Sequence, residues 1–275
     1  MTILDETQPN GWLTNPERKM RRDNANTFTS KDAQFLIDKI DSITNYVSPT
    51  LISDEDRTLD TNVRARDKAI IAIGYIFFKR GGEILGLRLK EIEVTDRELI
   101  VTFFIEKKRK RLKYCPECNT KNGIKSKFCK ECKTGLSEVP ITYEGEPLIR
   151  PKRKTLRNKF TKYILDWFEI LQSLTDNPDA LFFPPLQVVF NSAYFDFNRK
   201  KPMTIQNLDR LLQRLDPTMT SSLFRYGGTE RYLNLGYTPS ELKEIGDWSS
   251  SRMPEIYAER KGITAAQRRW SEDTS

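Results

Sequence analysis

The stretch Ser221–Tyr257 reads SSLFRYGGTERYLNLGYTPSELKEIGDWSSSRMPEIY, and it decides the fold. It carries an arginine, Arg225, then a tryptophan, Trp248, and nine residues later a tyrosine, Tyr257. Its pattern predicts three helices. The first contains Arg225 and ends at Gly236, the second begins at a Thr-Pro-Ser-Glu capping box, and the third carries Tyr257. The rest of the chain is interpreted around these side chains.

The chain of 275 residues is basic, with a formal net charge of +8. Its positive charge is concentrated in two clusters, KKRKRLK at 107–113 and RPKRKTLRNK at 150–159. Clusters of this kind suit a polyanion, although one cluster alone would equally be a solvated face. We therefore expect double-stranded DNA as the partner. The side chains expected to contact it are Lys108, Arg109, Lys110, Lys152, Arg153 and Lys154.

Two features that the sequence lacks, histidine and a long apolar segment, exclude several classes of function. The sequence has no histidine, which excludes Ser-His-Asp and Cys-His catalysis, histidine metal sites and imidazole acid–base chemistry. No apolar run approaches the roughly 20 residues of a membrane span, and the polar N-terminus does not resemble a signal peptide. We expect a cytoplasmic, DNA-associated protein without a membrane partner.

Hydrophobic periodicity predicts an α+β fold that is mainly helical, with a small antiparallel sheet. Segment Glu98–Glu106 is rich in β-branched and aromatic residues and predicts a strand, with Glu138–Tyr143 as its hairpin partner. Residues 46–62 are expected to form a polar connection, and Ser30 to cap the first helix. Other expected elements are helices at Arg64–Phe78, Glu83–Leu87, Thr155–Leu174 and Thr204–Leu215, and a strand at Ile92–Val94.

All four cysteines fall at the tip of this hairpin, as two CxxC pairs with ten residues between them: Cys115, Cys118, Cys129 and Cys132. Two such pairs are typical of a tetrahedral zinc site. Disulfides are disfavoured without a secretion signal, and a redox CxxC by the presence of two pairs. Four protein ligands leave no open position, so we expect a structural zinc ion in an insert at 112–136. The lysines of the insert make it basic, which suits contact with DNA. Docking of a protein is an equally open role.

The segment 64–94, RARDKAIIAIGYIFFKRGGEILGLRLKEIEV, resembles the first signature of the tyrosine recombinases, the phage-integrase family. The matching residues are Arg80, Glu83, Leu85 and Leu87. The stretch quoted first resembles the second signature, in Arg225, Trp248 and Tyr257. The resemblance covers about residues 27–258, and the zinc-bearing insert is similar to those of archaeal or archaeal-virus integrases.

This resemblance implies a site-specific recombinase that cleaves and rejoins DNA through a 3′-phosphotyrosine, without ATP or a catalytic metal. Tyr257 would be the nucleophile, and two arginines, Arg80 and Arg225, would clamp the phosphate oxygens. The indole N–H of Trp248 would donate to the same phosphate. Glu83 would orient a basic side chain or cap its turn.

The resemblance does not assign the general acid or the general base to a single residue. The general acid of the family is a lysine of the β-hairpin, and the choice here is Lys107 or, second, Lys108. Ser222 stands where the family usually has a histidine, three residues before the second arginine, and serine is a poor base near neutral pH. We therefore expect slower chemistry. The alternative is a catalytically weakened DNA-binding relative that acts as an accessory or regulator.

The expected organisation follows from the same resemblance. Residues 1–26 form a flexible tail, 27–260 the catalytic domain, and 261–275 a second tail that docks on a neighbouring subunit through Trp270. A homotetramer on DNA would integrate or excise a mobile element, such as a virus. The family's separate N-terminal clamp domain is missing, so the chain is either a fragment or a minimal form. Type IB topoisomerases use similar residues, but size and signatures favour a recombinase.

Overall fold

The computed structural model describes residues 28–47, 53–105, 110–144, 148–149, 153–156, 158–189, 192–248 and 250–260. Within these residues, helices are combined with small antiparallel sheets, which confirms the α+β class. Both expected tails, 1–26 and 261–275, lie outside the described residues. No helix of the described residues is long and apolar enough to cross a membrane.

The helices follow the predicted order but not all of the predicted bounds. They are α1 (Ser30–Ser42), α2 (Asp54–Phe77), α3 (Gly81–Leu85), α4 (Thr161–Leu174), α5 (Ile205–Leu215), α6 (Ser222–Asn234), α7 (Pro239–Ile245) and α8 (Arg252–Arg260). A 3₁₀ turn at Leu89–Glu91 follows α3.

Local capping explains where two of the helices begin. The hydroxyl of Thr29, and not that of Ser30, caps α1, since it accepts hydrogen bonds from the backbone of the first turn. Helix α2 begins well before the predicted start, because Ser53 and Asp56 form a capping box in which each side chain accepts the other's N–H at 3.1 Å. The acidic residues that indicated a polar connection are the first turn of this helix.

The strands are short and all of their pairings are antiparallel. They are β1 (Ile92–Val94), β2 (Glu98–Val101), β3 (Phe104–Ile105), β4 (Lys110–Tyr114), β5 (Lys121–Gly123), β6 (Thr142–Glu144), β7 (Leu148–Ile149), β8 (Arg153–Leu156), β9 (Leu186–Val189) and β10 (Ser192–Phe195). The described strands form the sheets β1-β2-β8, β3-β7, β5-β4-β6 and β9-β10.

Three of these pairings follow one another along a single interrupted hairpin. Glu98 lies opposite Leu156, Phe104 opposite Ile149, and Lys110 opposite Glu144. The predicted hairpin is therefore confirmed, but the predicted pairing of its two segments was wrong. Strand β2 pairs with β8, whose last two residues were predicted to begin a helix. The predicted partner segment pairs near the tip with β4 instead. The cysteine insert begins directly after β4.

The core is organised around the apolar half of α2. Its residues from Ala69 to Ile73 are completely buried. Helix α4 packs on it. The buried Trp167 of α4 donates its indole N–H to the carbonyl of Phe182 at 2.7 Å. Helix α6 approaches so closely that a Cβ on Gly74 would lie 2.6 Å from the ring of Phe224. Glycine at this position therefore places the next residue of α6, Arg225, near the end of α2.

A buried carboxyl group at the end of the 3₁₀ turn predicts a pH dependence of stability. Burial raises the pKa of Glu91 from 4.5 to about 7, although the N–H of Arg88 donates to the carboxyl at 2.8 Å and lowers it in part. Since the folded state then binds the proton more tightly than the unfolded state, stability should fall as pH rises from about 4.5 to 7.

Replacing Glu91 by glutamine keeps an oxygen that can accept the Arg88 N–H and removes the buried charge. We expect the melting temperature at pH 8 to rise by roughly 2–4 °C, the effect of about 1 kcal/mol in a chain of this size, and to change little at pH 4.5. Calorimetry across this pH range checks the result. A Glu91→Gln variant that loses stability at both pH values would contradict it.

Candidate active site

The first arginine lies in a sharp turn between α2 and α3. Phe78 ends α2 in the left-handed conformation, with φ of 40°. Arg80 then occupies the cap position of α3, where it is 40% exposed in its side chain. The next two residues, Gly81 and Gly82, are the first of α3, and the left-handed residue of the turn is Phe78. The turn presents Arg80 at the surface above the core.

Glu83 holds the first arginine from one turn further along α3. Its carboxylate accepts from the Arg80 guanidinium at 2.9 Å and from the Arg80 backbone N–H at 3.3 Å. The Glu83 side chain is itself largely buried. Glu83 therefore contacts both the side chain and the backbone of Arg80, and its role in the site stays a prediction.

The second arginine, Arg225, projects from the first turn of α6 and is only 7% exposed. One terminal nitrogen, Nη2, donates to the carbonyl of Gly246 at 2.6 Å. Its Cζ atom lies 4.0 Å from the centre of the Trp248 ring. Among the described residues, its Nε and Nη1 atoms are buried without a hydrogen-bond partner. Buried N–H groups of a cation are rarely left unpaired, so this geometry suits an incoming anion.

The electrostatic environment of Arg225 favours an anion as well. Burial, together with repulsion by Arg80, lowers its pKa from 12.5 to about 10, although Glu83, Tyr257 and Asp247 oppose the shift. The guanidinium nevertheless stays charged near neutral pH. A bound phosphate would offset both the burial and the repulsion between the two arginines.

Trp248 lies in the turn between α7 and α8 and forms one wall of the Arg225 site. Its ring packs so closely on the turn that a Cβ on Gly246 would lie 1.6 Å from a ring carbon. The residue between them, Asp247, is left-handed with φ of 56°. The second helix of the quoted stretch begins as predicted, since Thr238 and Glu241 form the capping box of α7. This short helix fixes where the turn starts.

Tyr257 lies on α8, half-buried, with its ring next to those of two aromatic neighbours. The ring centroids are 6.3 Å apart for Trp248 and 4.5 Å apart for Tyr226. Tyr226 follows Arg225 on α6, and α6 and α8 pack together. Trp248 therefore contacts both Arg225 and Tyr257. The structure brings these three residues, Arg80 and Glu83 into one region, as their order in the sequence predicted.

Ser222 lies at the start of α6, where it is exposed. Its hydroxyl is 2.7 Å from the hydroxyl of Thr220. A pair of hydroxyl groups supplies no base that would be effective near neutral pH. The geometry therefore does not alter the expectation that Ser222 cannot remove a proton from a phenol.

Several predicted residues cannot be placed in this site. Lys107, Lys108, Arg109 and Lys152 lie outside the described residues. Lys110, Arg153 and Lys154 lie in strands β4 and β8 of the interrupted hairpin, and only their backbone is described. The choice of general acid and the proposed DNA contacts stay predictions.

The four cysteines form a compact cluster at the tip of the hairpin. Their sulfur atoms all lie within 4.8 Å of one another. Separations of 3.4 Å for Cys115–Cys132 and 3.5 Å for Cys118–Cys129 are far longer than a disulfide bond. A tetrahedral zinc ion with Zn–S distances of about 2.3 Å would place its sulfurs about 3.8 Å apart. The donor set and its dimensions therefore fit a zinc ion.

The surroundings shift the pKa values of the cysteines in opposite directions. The backbone N–H of Cys118 lowers the pKa of Cys115, but burial and the thiols of Cys132 and Cys118 raise it to about 11. Burial raises the pKa of Cys129, but the backbone N–H groups of Cys132 and Glu131 outweigh it and lower the pKa to about 6. Of the described residues, Leu136 and the partly buried Val139 add apolar packing around the cluster. A side-chain amide, that of Asn122, reaches from β5 to the Cys129 sulfur at 3.7 Å.

One pair of functional candidates was missed by the sequence. Lys79, beside Arg80, forms an ion pair with Asp247, beside Trp248. The two residues are separated by 168 positions, and neither belongs to a motif. Adjacency to Arg80 was the sole signal, and it gave no indication of a partner.

No family model matches the chain, and a search of curated proteins finds no match either. Solved structures do give matches. XerH site-specific recombinase bound to difH substrate is similar in its pre-cleavage complex, with 12% identity, a TM-score of 0.47 and coverage of 86% of this chain and 52% of that chain. Its post-cleavage complex on palindromic difH has 12% identity, a TM-score of 0.48 and coverage of 88% and 52%.

A further similar structure is the Tn1549 transposon integrase in complex with transposon right end DNA. It has 16% identity, a TM-score of 0.42 and coverage of 84% of this chain and 61% of that chain. The chain therefore spans about half of the XerH chain and under two thirds of the integrase chain. Similarity at this level does not decide an activity.

Proposed function

We propose that this chain is a DNA site-specific recombinase that breaks and rejoins strands through a tyrosine, in the integration or excision of a mobile element. One observation carries the proposal. The buried guanidinium of Arg225 has two nitrogens without a hydrogen-bond partner in the part of the chain that the structure describes, and it contacts Trp248, whose ring also contacts that of Tyr257. An anion receptor beside a phenol is what phosphoryl transfer to tyrosine requires.

In the proposed reaction, the oxygen of Tyr257 attacks a DNA phosphorus and displaces the 5′-oxygen. The bond from phosphorus to the 5′-oxygen breaks as the bond to the tyrosine oxygen forms, so no external energy source is needed for the reverse step. Arg225, with Arg80 held by Glu83, stabilises the charge on the nonbridging oxygens. The phenolic proton leaves to water or substrate phosphate, and Lys107 or Lys108 donates a proton to the departing 5′-oxygen.

Residues 27–260 would form the catalytic domain, and a zinc ion held by the four cysteines would stabilise the insert at 112–136. The ion would supply structure only, because four thiolates complete its coordination. The basic residues around the hairpin would contact double-stranded DNA, and a tetramer would assemble there with help from the segment 261–275. These assignments extend the proposal beyond the site itself.

The proposal is tested with nicked duplexes tiled across the DNA that flanks the gene. A nick next to the cleavage position releases a short fragment, which prevents religation and traps the protein on DNA. We expect a denaturation-resistant protein–DNA adduct on at least one duplex. A chain that binds these duplexes and yields no adduct on any of them would overturn the proposal.

The variant Arg225→Lys should show whether Arg225 stabilises charge on the reacting phosphate or mainly contributes to DNA binding. Lysine keeps the positive charge but cannot donate through two nitrogens to one phosphate. We expect the single-turnover rate of adduct formation to fall on the order of 100-fold, with DNA affinity changed by less than about 3-fold because many phosphate contacts share it. Arg231→Lys, on the same helix, is the matched control. Equal losses in both variants would contradict the assignment.

A second function is favoured by Ser222. Its hydroxyl pairs with that of Thr220, so the position that could supply a base offers none. A catalytically weakened chain would act as a DNA-binding accessory or regulator. It would bind DNA in a salt-sensitive manner, yield no adduct, and be unaffected by Tyr257→Phe. The trapping experiment distinguishes this function from the first.

A further inference from the structure

An ion pair lies underneath the candidate active site and takes no part in the chemistry proposed above. The ammonium group of Lys79 contacts the carboxylate of Asp247, with only 1% of the Lys79 side chain and 6% of the Asp247 side chain exposed. The same ammonium donates to the carbonyl of Ile245 at 3.3 Å. Lysine is almost never fully buried, so this placement needs a reason.

Stability alone does not supply that reason. Two charges lose hydration when they are buried, and a well-packed apolar pair in their place is often at least as stable. The surroundings would accept an apolar side chain, because the ammonium lies 6.0 Å from the ring centre of Phe78 and 5.5 Å from that of Phe103. What an apolar pair would lack is a directional bond between two particular turns.

The two turns joined by the pair carry the phosphate-binding side chains. Lys79 immediately precedes Arg80 in the turn between α2 and α3. Asp247 lies between Gly246, whose carbonyl accepts from Arg225, and Trp248, whose ring packs against the same guanidinium. A movement of Asp247 would therefore shift both of the groups that aim Arg225.

We propose that Lys79 and Asp247 are a positioning pair, which fixes the Trp248 turn against the Arg80 turn and so holds the Arg225 guanidinium in place for a DNA phosphate. The assignment of the phosphate rests on the proposed function, whereas the positioning of Trp248 does not. At 1% exposure, with its ammonium bonded inward, Lys79 does not touch substrate. Lys79 instead sets the geometry of the site. Replacing it should therefore lower the rate of adduct formation more than the affinity for DNA.

The variants are Lys79→Met, Asp247→Asn and the double variant. Methionine preserves the length of the side chain, and asparagine preserves shape and tolerates a left-handed backbone. Each single variant removes one partner of the buried ion pair, whereas the double variant removes both charges. Lys90→Met is the matched control, since it breaks an ion pair with Asp179 in which both side chains are more than half exposed.

The first readout needs no activity. All four tryptophans are labelled with 5-fluorotryptophan, and the ¹⁹F signal of Trp248 is assigned by its loss in Trp248→Phe. We expect Lys79→Met and the double variant to shift or broaden the Trp248 signal, with the signal of buried Trp167 unchanged and Lys90→Met like wild type. If Lys79→Met does not fold, the double variant decides. An unchanged Trp248 signal, or equal changes at Trp167, would overturn the proposal.

The second readout uses the trapped adduct. A misplaced phosphate ligand should lower the single-turnover rate on the order of 10- to 100-fold, with the DNA dissociation constant within about 3-fold of wild type. A variant that loses DNA affinity and keeps its rate would overturn the positioning role. If wild type forms no adduct, the proposed function fails, and the ¹⁹F result still decides whether the pair positions Trp248.

Discussion

Replacing Tyr257 with phenylalanine is expected to abolish covalent attachment of DNA while leaving DNA binding intact. The substitution removes one oxygen, the proposed nucleophile, and keeps the ring that packs against Trp248 and Tyr226. Because no other group would accept the phosphoryl transfer, the adduct should fall below detection, whereas affinity measured by fluorescence anisotropy should change by less than about 2-fold.

Tyr226→Phe is the matched control for this prediction. Tyr226 is close enough to Tyr257 for their rings to be 4.5 Å apart, and its hydroxyl is the nearest chemical equivalent in the site. Its loss should leave the yield of adduct largely unchanged. An adduct that persists in Tyr257→Phe and disappears in Tyr226→Phe would move the nucleophile to α6.

Removal of zinc is expected to unfold the cysteine insert. Its buried apolar residues are few, Leu136 and the sulfur-bearing Cys115 and Cys129. So small a core cannot offset the entropy of ordering the surrounding chain, and structural zinc sites contribute about 10–16 kcal/mol of apparent binding energy near pH 7. The purified chain should hold one zinc ion, and its loss should be far more damaging than any single side-chain substitution in the insert.

Hydrogen exchange measured by mass spectrometry checks this outcome. In Cys118→Ser, or after treatment with a chelator, amide protection should be lost across 110–144 and retained in α4. Ser126→Ala, which alters the same loop without touching a ligand, should behave like wild type. Full protection of the insert in the metal-free chain would contradict a structural zinc site.

The elements predicted best were those with a strong local pattern. Amphipathic spacing gave α5 within one residue of its start, and the Thr238 capping box gave α7. Strand β8 could not be found in this way, because its residues Arg153–Leu156 form a basic segment whose extended backbone depends on pairing with the distant β2. Helix α2 was cut short since its acidic first turn resembles a loop until the Ser53 cap is recognised.

The residues of the site likewise fall into those that a sequence pattern reveals and those that depend on distant contacts. Order and spacing along the chain placed Arg80, Arg225, Trp248 and Tyr257, and the structure brings them together. The ion pair of Lys79 with Asp247 was missed because it arises only when two turns that are remote in sequence meet. Unpaired nitrogens on Arg225 are likewise a property of three-dimensional burial, which a sequence pattern does not contain.

The most direct test of strand transfer by Tyr257 is the mass of the peptide that carries the DNA. The trapped adduct is digested with nuclease and trypsin, which gives separate peptides for Tyr257 (Met253–Arg260) and Tyr226 (Tyr226–Arg231). A nucleotide remnant on Tyr257 in the peptide Met253–Arg260 is the predicted result. A remnant on Tyr226, on another residue, or on no peptide at all would contradict the account.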